Sequence, residues 1–220
     1  MSAPLLDVHG LSKSFADQVI LKDCAFQLEA GERLSIQGPS GCGKSTLLRL
    51  LAGLETADQG TIQLDGKTAT DGNKLPMAPW QRGIQMVFQD LGLWPTRKVL
   101  QHVVDVRKAA GLSDPKGVGS KILQELGLGS HLQARPGTLS GGEARRLAFA
   151  RVMALEPKLI LLDEAFSSLD PESRDQGFAV LEQVLESTGA AVILVTHDPL
   201  EAERLGGRAA RMQDGGLACA

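Results

Sequence analysis

The chain has 220 residues, of which 43% are hydrophobic and 22% charged, and a formal net charge of -3. That length suits one large domain, or one domain with an inserted subdomain, and a core that needs no disulfide or metal staple. The charge balance gives no overall reason to bind nucleic acid, no apolar run approaches the roughly 20 residues that span a bilayer, and the opening residues lack the blocks of a signal peptide.

Short strands are predicted at Leu5–Val8 and Cys24–Leu28, with a turn at Asp17 and Gln18 between them. The turn Ala30-Gly31-Glu32 leads into a strand at Leu34–Ile36, a glycine-rich loop, and an apolar helix over Thr46–Leu54. Gly60–Leu64 and Ile84–Gln89 read as further strands. From about Val99 to Leu155 helical spacing takes over, broken at Gly111, Asp114-Pro115, Gly127 and Pro136-Gly137. Leu159–Leu162 and Ala191–Val195 are apolar without alternation, as expected of parallel strands covered on both faces. The expectation is a single α/β domain over 1–220, with a core at about 1–90 and 156–220 and a helical block inserted at about 91–155.

The loop Gly38-Pro39-Ser40-Gly41-Cys42-Gly43-Lys44-Ser45 fits G-x-x-x-x-G-K-[ST] and lies between a predicted strand and a predicted helix. In that setting backbone N–H groups turn inward on phosphate oxygens and the helix N-terminus favours negative charge. Lys44 is expected on the β- and γ-phosphates, Ser45 on Mg²⁺, and Thr46 on the α-phosphate. The bland reading is a glycine turn that tightens strand–helix packing. Leu159–Leu162 ends in Asp163-Glu164, and ligands in open α/β sheets bind beyond strand carboxyl ends. Asp163 there suits the Mg²⁺ shell through water, and Glu164 the orientation or deprotonation of an attacking water.

Cys24, Cys42 and Cys219 are odd in number and lack metal-ligand spacing, which points to free thiols and a reducing compartment. Cys42 lies inside the phosphate loop, so alkylation is expected to block nucleotide binding and bound nucleotide to protect the thiol.

Leu139-Ser140-Gly141-Gly142-Glu143-Ala144-Arg145-Arg146 resembles the signature of ATP-binding cassette (ABC) ATPases, and four further segments fall in that family's order. These are the phosphate loop, Gln89 in Val87-Phe88-Gln89-Asp90, the carboxylates with Ser167-Ser168-Leu169-Asp170 after them, and His197 in Val195-Thr196-His197-Asp198. The resemblance extends over essentially the whole chain and is to compact bacterial importer subunits. It implies a P-loop NTPase core with a mixed sheet, an N-terminal antiparallel β subdomain and an inserted helical signature subdomain.

The resemblance further implies ATP and Mg²⁺ as cofactors, with Ser45, Gln89 and Asp163 toward the metal and Glu164, His197, Lys44 and Gln89 toward the chemistry. Ser140, Gly141 and Gly142 would close over the γ-phosphate held by a second copy in a head-to-tail dimer, with Asp170 near that seam. Phe15 is the candidate for stacking on adenine, since the chain has no tyrosine. Implied partners are transmembrane permease subunits meeting the region from Gln89 to Trp94, and a solute-binding protein; the implied place is the cytoplasmic face of the bacterial inner membrane. An exporter subunit, or a soluble ABC ATPase acting on nucleic acid or ribosomes, is the alternative. Thr46–Leu139 has no sustained heptads, which opposes the coiled-coil members of the second group. The chain runs only a short way past His197, which implies no regulatory C-terminal domain. Two positions depart from the family pattern: Glu143 stands where glutamine is usual and Ser168 where alanine is usual, both expected to weaken ATP-driven closure.

Overall fold

The computed structural model describes residues 3–219 except Asp17, Gln89 and Ser168, and of Cys219 the backbone alone. The elements in order are β1 (Leu6–Phe15), β2 (Gln18–Leu28), β3 (Arg33–Gln37), α1 (Lys44–Ala52), β4 (Gln59–Leu64), β5 (Lys67–Asp71) and β6 (Ile84–Val87). They continue with α2 (Val99–Ala109), α3 (Pro115–Glu125), α4 (Gly141–Met153), β7 (Leu159–Asp163), α5 (Pro171–Thr188), β8 (Ala191–Thr196), α6 (Pro199–Leu205), β9 (Arg208–Gln213) and β10 (Gly216–Cys219).

Two compact units result. One comprises Met1–Met86, Lys158–Glu164 and Gly189–Ala220; the other comprises Val87–Pro157 and Ala165–Thr188. The second therefore takes in a segment after Glu164, outside the 91–155 block expected to be helical.

In the first unit β2-β1-β4-β5 form an antiparallel sheet, and the mixed sheet runs β10-β9-β3-β8-β7-β6. Strands β7, β8 and β3 are parallel neighbours, with Asp163 beside Val195 and Gln37 beside Thr196. Their carboxyl ends share one edge, and the phosphate loop, Asp163-Glu164 and His197 all leave from it. Every residue of β7 and β8 is buried, as their unbroken apolar runs require. Helix α1 buries Leu47, Leu48, Leu50 and Leu51 and stops at Gly53, whose φ of 75° lets its N–H reach the Arg49 and Leu50 carbonyls.

β1 and β2 run much longer than the strands expected at 5–8 and 24–28. Register shifts between Val8 and Lys13 break the alternation that marks a strand in sequence. Helix α1 begins at Lys44 rather than Thr46, and β6 ends at Val87. Strands β5, β9 and β10 and the short α6 carry weak patterns and went unread, although Asp214-Gly215 between β9 and β10 is a hairpin-turn pair with both φ values positive.

In the second unit the expected breaks coincide with helix limits. Asp114 caps α3 through the Gly117 N–H, at 3.0 Å, and Gly111 and Gly127 sit in left-handed turns after α2 and α3. Phe149, Phe166 and Phe178 stack in series at 6.3 and 4.2 Å and form the aromatic centre of its core.

Candidate functional site

The loop from Gly38 to Ser45 is pressed between β2 and β9, which explains its glycines. A Cβ on Gly38 would lie 2.5 Å from the Met212 carbonyl oxygen and 2.8 Å from Cys42 Sγ. One on Gly43, whose φ is 106°, would lie 2.8 Å from the Ile20 carbonyl oxygen. Side chains are excluded there, so the loop can turn its amides inward. A cavity of about 530 Å³ adjoins Pro39, Ser40, Gly41 and Cys42, with Ile20 and Arg211 on its other walls. Lys44 is buried, its Nζ donating to the carbonyls of Gly38 at 2.8 Å and Pro39 at 3.0 Å. Ser45 and Thr46 sit half-buried on the first turn of α1.

The end of β7 brings the two carboxylates to this loop. Asp163 is buried and accepts a 2.7 Å hydrogen bond from the Ser45 hydroxyl. Burial pushes its carboxyl above the usual value of 3.8; the Ser45 bond opposes that rise and the neighbouring Glu164 adds to it. Glu164 lies 3.8 Å from Lys44 Nζ and 3.6 Å from His197 Nδ1, both measured from Oε1. Its φ is 47°, a left-handed conformation that costs a side-chain-bearing residue about 1–2 kcal/mol. Lys44, Ser45, Asp163, Glu164 and His197 are thus gathered at one point of the first unit.

His197 follows β8 and is half-exposed. Its turn is fixed by two residues that the sequence reading passed over. Thr196 Oγ1 donates to the buried Glu201 carboxylate at 2.6 Å and accepts the Asp198 N–H at 3.0 Å. A Thr five residues before the acidic position of a short helix is a weak signal without the fold. Phe15 closes β1 with 45% exposure, and Lys13 Nζ stands 4.9 Å from its ring centroid, held by Glu55 and Asp58 at 3.3 and 3.6 Å. Gln89 and Ser168 lie outside the described residues.

In the second unit Ser140 caps α4. Its hydroxyl accepts the Glu143 N–H at 3.3 Å, and the Glu143 carboxylate accepts the Ser140 N–H at 2.8 Å and its hydroxyl at 2.9 Å. His131 Nε2 is 3.3 Å from the other oxygen of Glu143. The Ser140 bonds hold the Glu143 carboxyl below the usual range, helped by His131 and Arg146. Gly141 faces open space. Asp170 Oδ1 accepts the Ser173 N–H at 3.0 Å, and hydrogen bonds from the Ser173 hydroxyl and N–H hold its carboxyl below the usual value. A groove of about 680 Å³ is lined by Trp94, Pro95, Arg97, Asp105, Val106 and Ala109. Among the described residues no cluster of three or more His, Cys, Asp or Glu side chains forms a metal site, and no helix is long and apolar enough to cross a membrane.

The family model described as ABC transporter matches residues 21–167. The aliphatic sulfonates import ATP-binding protein SsuB 2 of Agrobacterium fabrum is 42% identical over 96% of this chain and 76% of its own length. The putrescine transport ATP-binding protein PotG of Escherichia coli is 40% identical, and the Fe(3+) ions import ATP-binding protein FbpC 3 of Rhodococcus jostii 41%. The chain covers 55% and 61% of those two proteins and nearly all of it, 96% and 97%, takes part in the match.

Proposed function

Because the chain belongs to the ABC transporter family, we propose that it is the ATP-hydrolysing subunit of a transporter whose membrane-spanning parts are separate chains. The observation that carries this reading is the meeting of Lys44, Glu164 and His197 beside the Ser45–Asp163 bond, at the mouth of the phosphate loop. The triphosphate lies on the loop amides, and Lys44 exchanges the Gly38 and Pro39 carbonyls for phosphate oxygens. Thr46 reaches the α-phosphate and Phe15 stacks on the adenine with the face that Lys13 leaves open. Glu164 and His197 hold and polarise the attacking water.

Ser45 and Asp163 offer only oxygen donors, one of them a carboxylate whose burial disfavours its bare charge, and that set fits Mg²⁺, which keeps waters and takes phosphate oxygens. Ser45, Asp163 through water and Gln89 would hold it, and bound there it neutralises phosphate charge.

Gly141 and Gly142 present amides of a helix N-terminus in the second unit beside the capping Ser140, whose own N–H is bonded to Glu143, and these three residues receive the γ-phosphate of a second copy packed head to tail. Asp170 lies at the same seam. The helical block from about 91 to 155 carries this surface, and its groove at Trp94 seats a short helix of the membrane subunit. Import is the favoured direction, because relatives at 36–42% identity bear the names of import ATP-binding proteins. A solute-binding protein then delivers the cargo, and the subunit works at the cytoplasmic face of the inner membrane.

The test uses tagged Glu164→Gln protein, which should bind Mg-ATP, dimerise with it and hydrolyse almost none. In a pull-down from detergent-solubilised native membranes, multi-spanning chains should co-purify. Recovery of ribosomal or DNA-associated proteins instead would overturn the transporter assignment.

A further inference from the structure

Trp94 is held in its groove by a side chain that the nucleotide chemistry does not use. His102, on the first turn of α2, is fully buried. Its Nε2 is 2.9 Å from the Trp94 backbone N–H, and its Nδ1 is 2.8 Å from the Lys98 carbonyl oxygen. A backbone N–H can only donate and a carbonyl only accept, so the ring must be neutral with its hydrogen on Nδ1. The same imidazole stacks on the Trp94 indole, with centroids 5.3 Å apart and planes 22° from parallel. The Arg151 guanidinium lies 4.7 Å from the indole centroid and donates to the Gly92 carbonyl at 2.6 Å. Trp94 is therefore fixed through both its backbone and its ring, and still exposes 38% of its surface to the groove.

We infer that His102 is a positioning residue for the groove, holding Trp94 in the pose against which the membrane subunit's helix seats. This rests on the docking reading given above. The occupant is that helix, presenting an apolar side chain to Trp94, Pro95 and Val106 and a polar flank to the Arg97–Asp105 pair, 3.5 Å apart at the rim. A proton on Nε2 would set N–H against N–H at Trp94 and place a cation beside Arg151 and Arg97, with the Lys98 carbonyl and Asp105 in favour. Burial pushes the imidazole below its usual value of 6.5; Arg151 and Arg97 push the same way, against the Lys98 carbonyl and Asp105. The neutral form, and with it the pose of Trp94, persists through neutral pH and is lost as pH falls through that lowered value.

The first arm of the test needs no partner. In a Trp80→Phe chain Trp94 is the single tryptophan, and its fluorescence is followed from pH 8 downward. One transition below pH 6.5 is expected, and it should vanish in His102→Gln, whose amide oxygen reaches as far as Nε2 to accept from Trp94 but whose side chain takes up no proton. A transition unchanged in His102→Gln, or none at all, would overturn the inference. The second arm measures how much of the membrane chains co-purifying with wild type at neutral pH each variant retains. His102→Gln should retain them within about twofold and lose their acid-dependent release, whereas His102→Ala should lose roughly tenfold or more. Full retention by His102→Ala overturns the positioning role. Failure of wild type to retain any membrane chain, with the fluorescence transition intact, removes the docking reading and leaves His102 as the residue that sets Trp94.

Discussion

Ser45 and Asp163, 118 positions apart, are joined by a 2.7 Å hydrogen bond that ties the first turn of α1 to the end of β7. The bond matters because the carboxylate it reaches is buried, and burial holds its pKa above the usual value. Between that usual value of 3.8 and the raised one, the folded chain binds a proton that the unfolded chain does not. The nucleotide-free protein should therefore lose stability as pH rises through the raised value. Asp163→Asn should flatten that dependence in thermal melts. The Mg²⁺ concentration giving half-maximal ATPase should also climb as pH falls, since proton and cation compete for one carboxylate. A wild-type Mg²⁺ requirement that does not move between about pH 5 and pH 8 would count against this.

Glu164 combines a proposed chemical role with a left-handed backbone, and two substitutions separate them. Glu164→Gln keeps the backbone and should slow hydrolysis about 10²–10⁴-fold with ATP binding intact. Glu164→Gly should be as slow but more stable by about 1 kcal/mol, a melting shift of about 2–4 °C in a chain of this size. Equal melting temperatures for the two variants would show that the strain is negligible.

Cys42 faces the loop cavity, whereas Cys24 is buried with its thiol donating to the Gly215 carbonyl at 3.2 Å. In a Cys219→Ser background, alkylation should fall on Cys42, abolish ATP binding and be slowed by bound ATP. Equal rates with and without nucleotide would remove Cys42 from the site.

Glu143→Gln keeps the acceptor that caps Ser140 while taking a negative charge from beside the proposed γ-phosphate contact. The variant should melt like wild type and form the ATP-dependent dimer several-fold more tightly in sedimentation. An unchanged dimer would mean that the carboxylate, turned back on Ser140 and facing His131, is silent toward phosphate.

The phosphate loop and Asp163-Glu164 were legible in sequence because phosphate chemistry dictates residue types at fixed spacings. Strands β7 and β8 were legible because burial on both faces leaves unbroken apolar runs. Thr196 and Glu201 were not, since a threonine and a glutamate around a turn look like surface until the fold buries the carboxylate. His102 was equally silent: only the approach of the Trp94 N–H and the Lys98 carbonyl gives its two nitrogens opposite duties. The long β1 and β2 were hidden by their own irregularity, as polar Ser12, Lys13, Lys22 and Asp23 interrupt the pattern where the register slips.

Arg82 was also unread, and it is among the most heavily engaged side chains of the first unit. Its guanidinium, buried and in no ion pair among the described residues, donates to the carbonyls of Leu50, Leu51, Ala69 and Met77 and to the Thr70 hydroxyl. One planar cation thus closes the end of α1, strand β5 and the approach to β6 into a single knot. Those segments have no independent way to open, because parting any one of them strands several carbonyls without a donor. In hydrogen–deuterium exchange the amides near Leu51, Thr70 and Arg82 should share one opening free energy, and Arg82→Met should bring all three down together. The helix that follows the phosphate loop is then only as durable as its tie, through Arg82, to the distant strand β5.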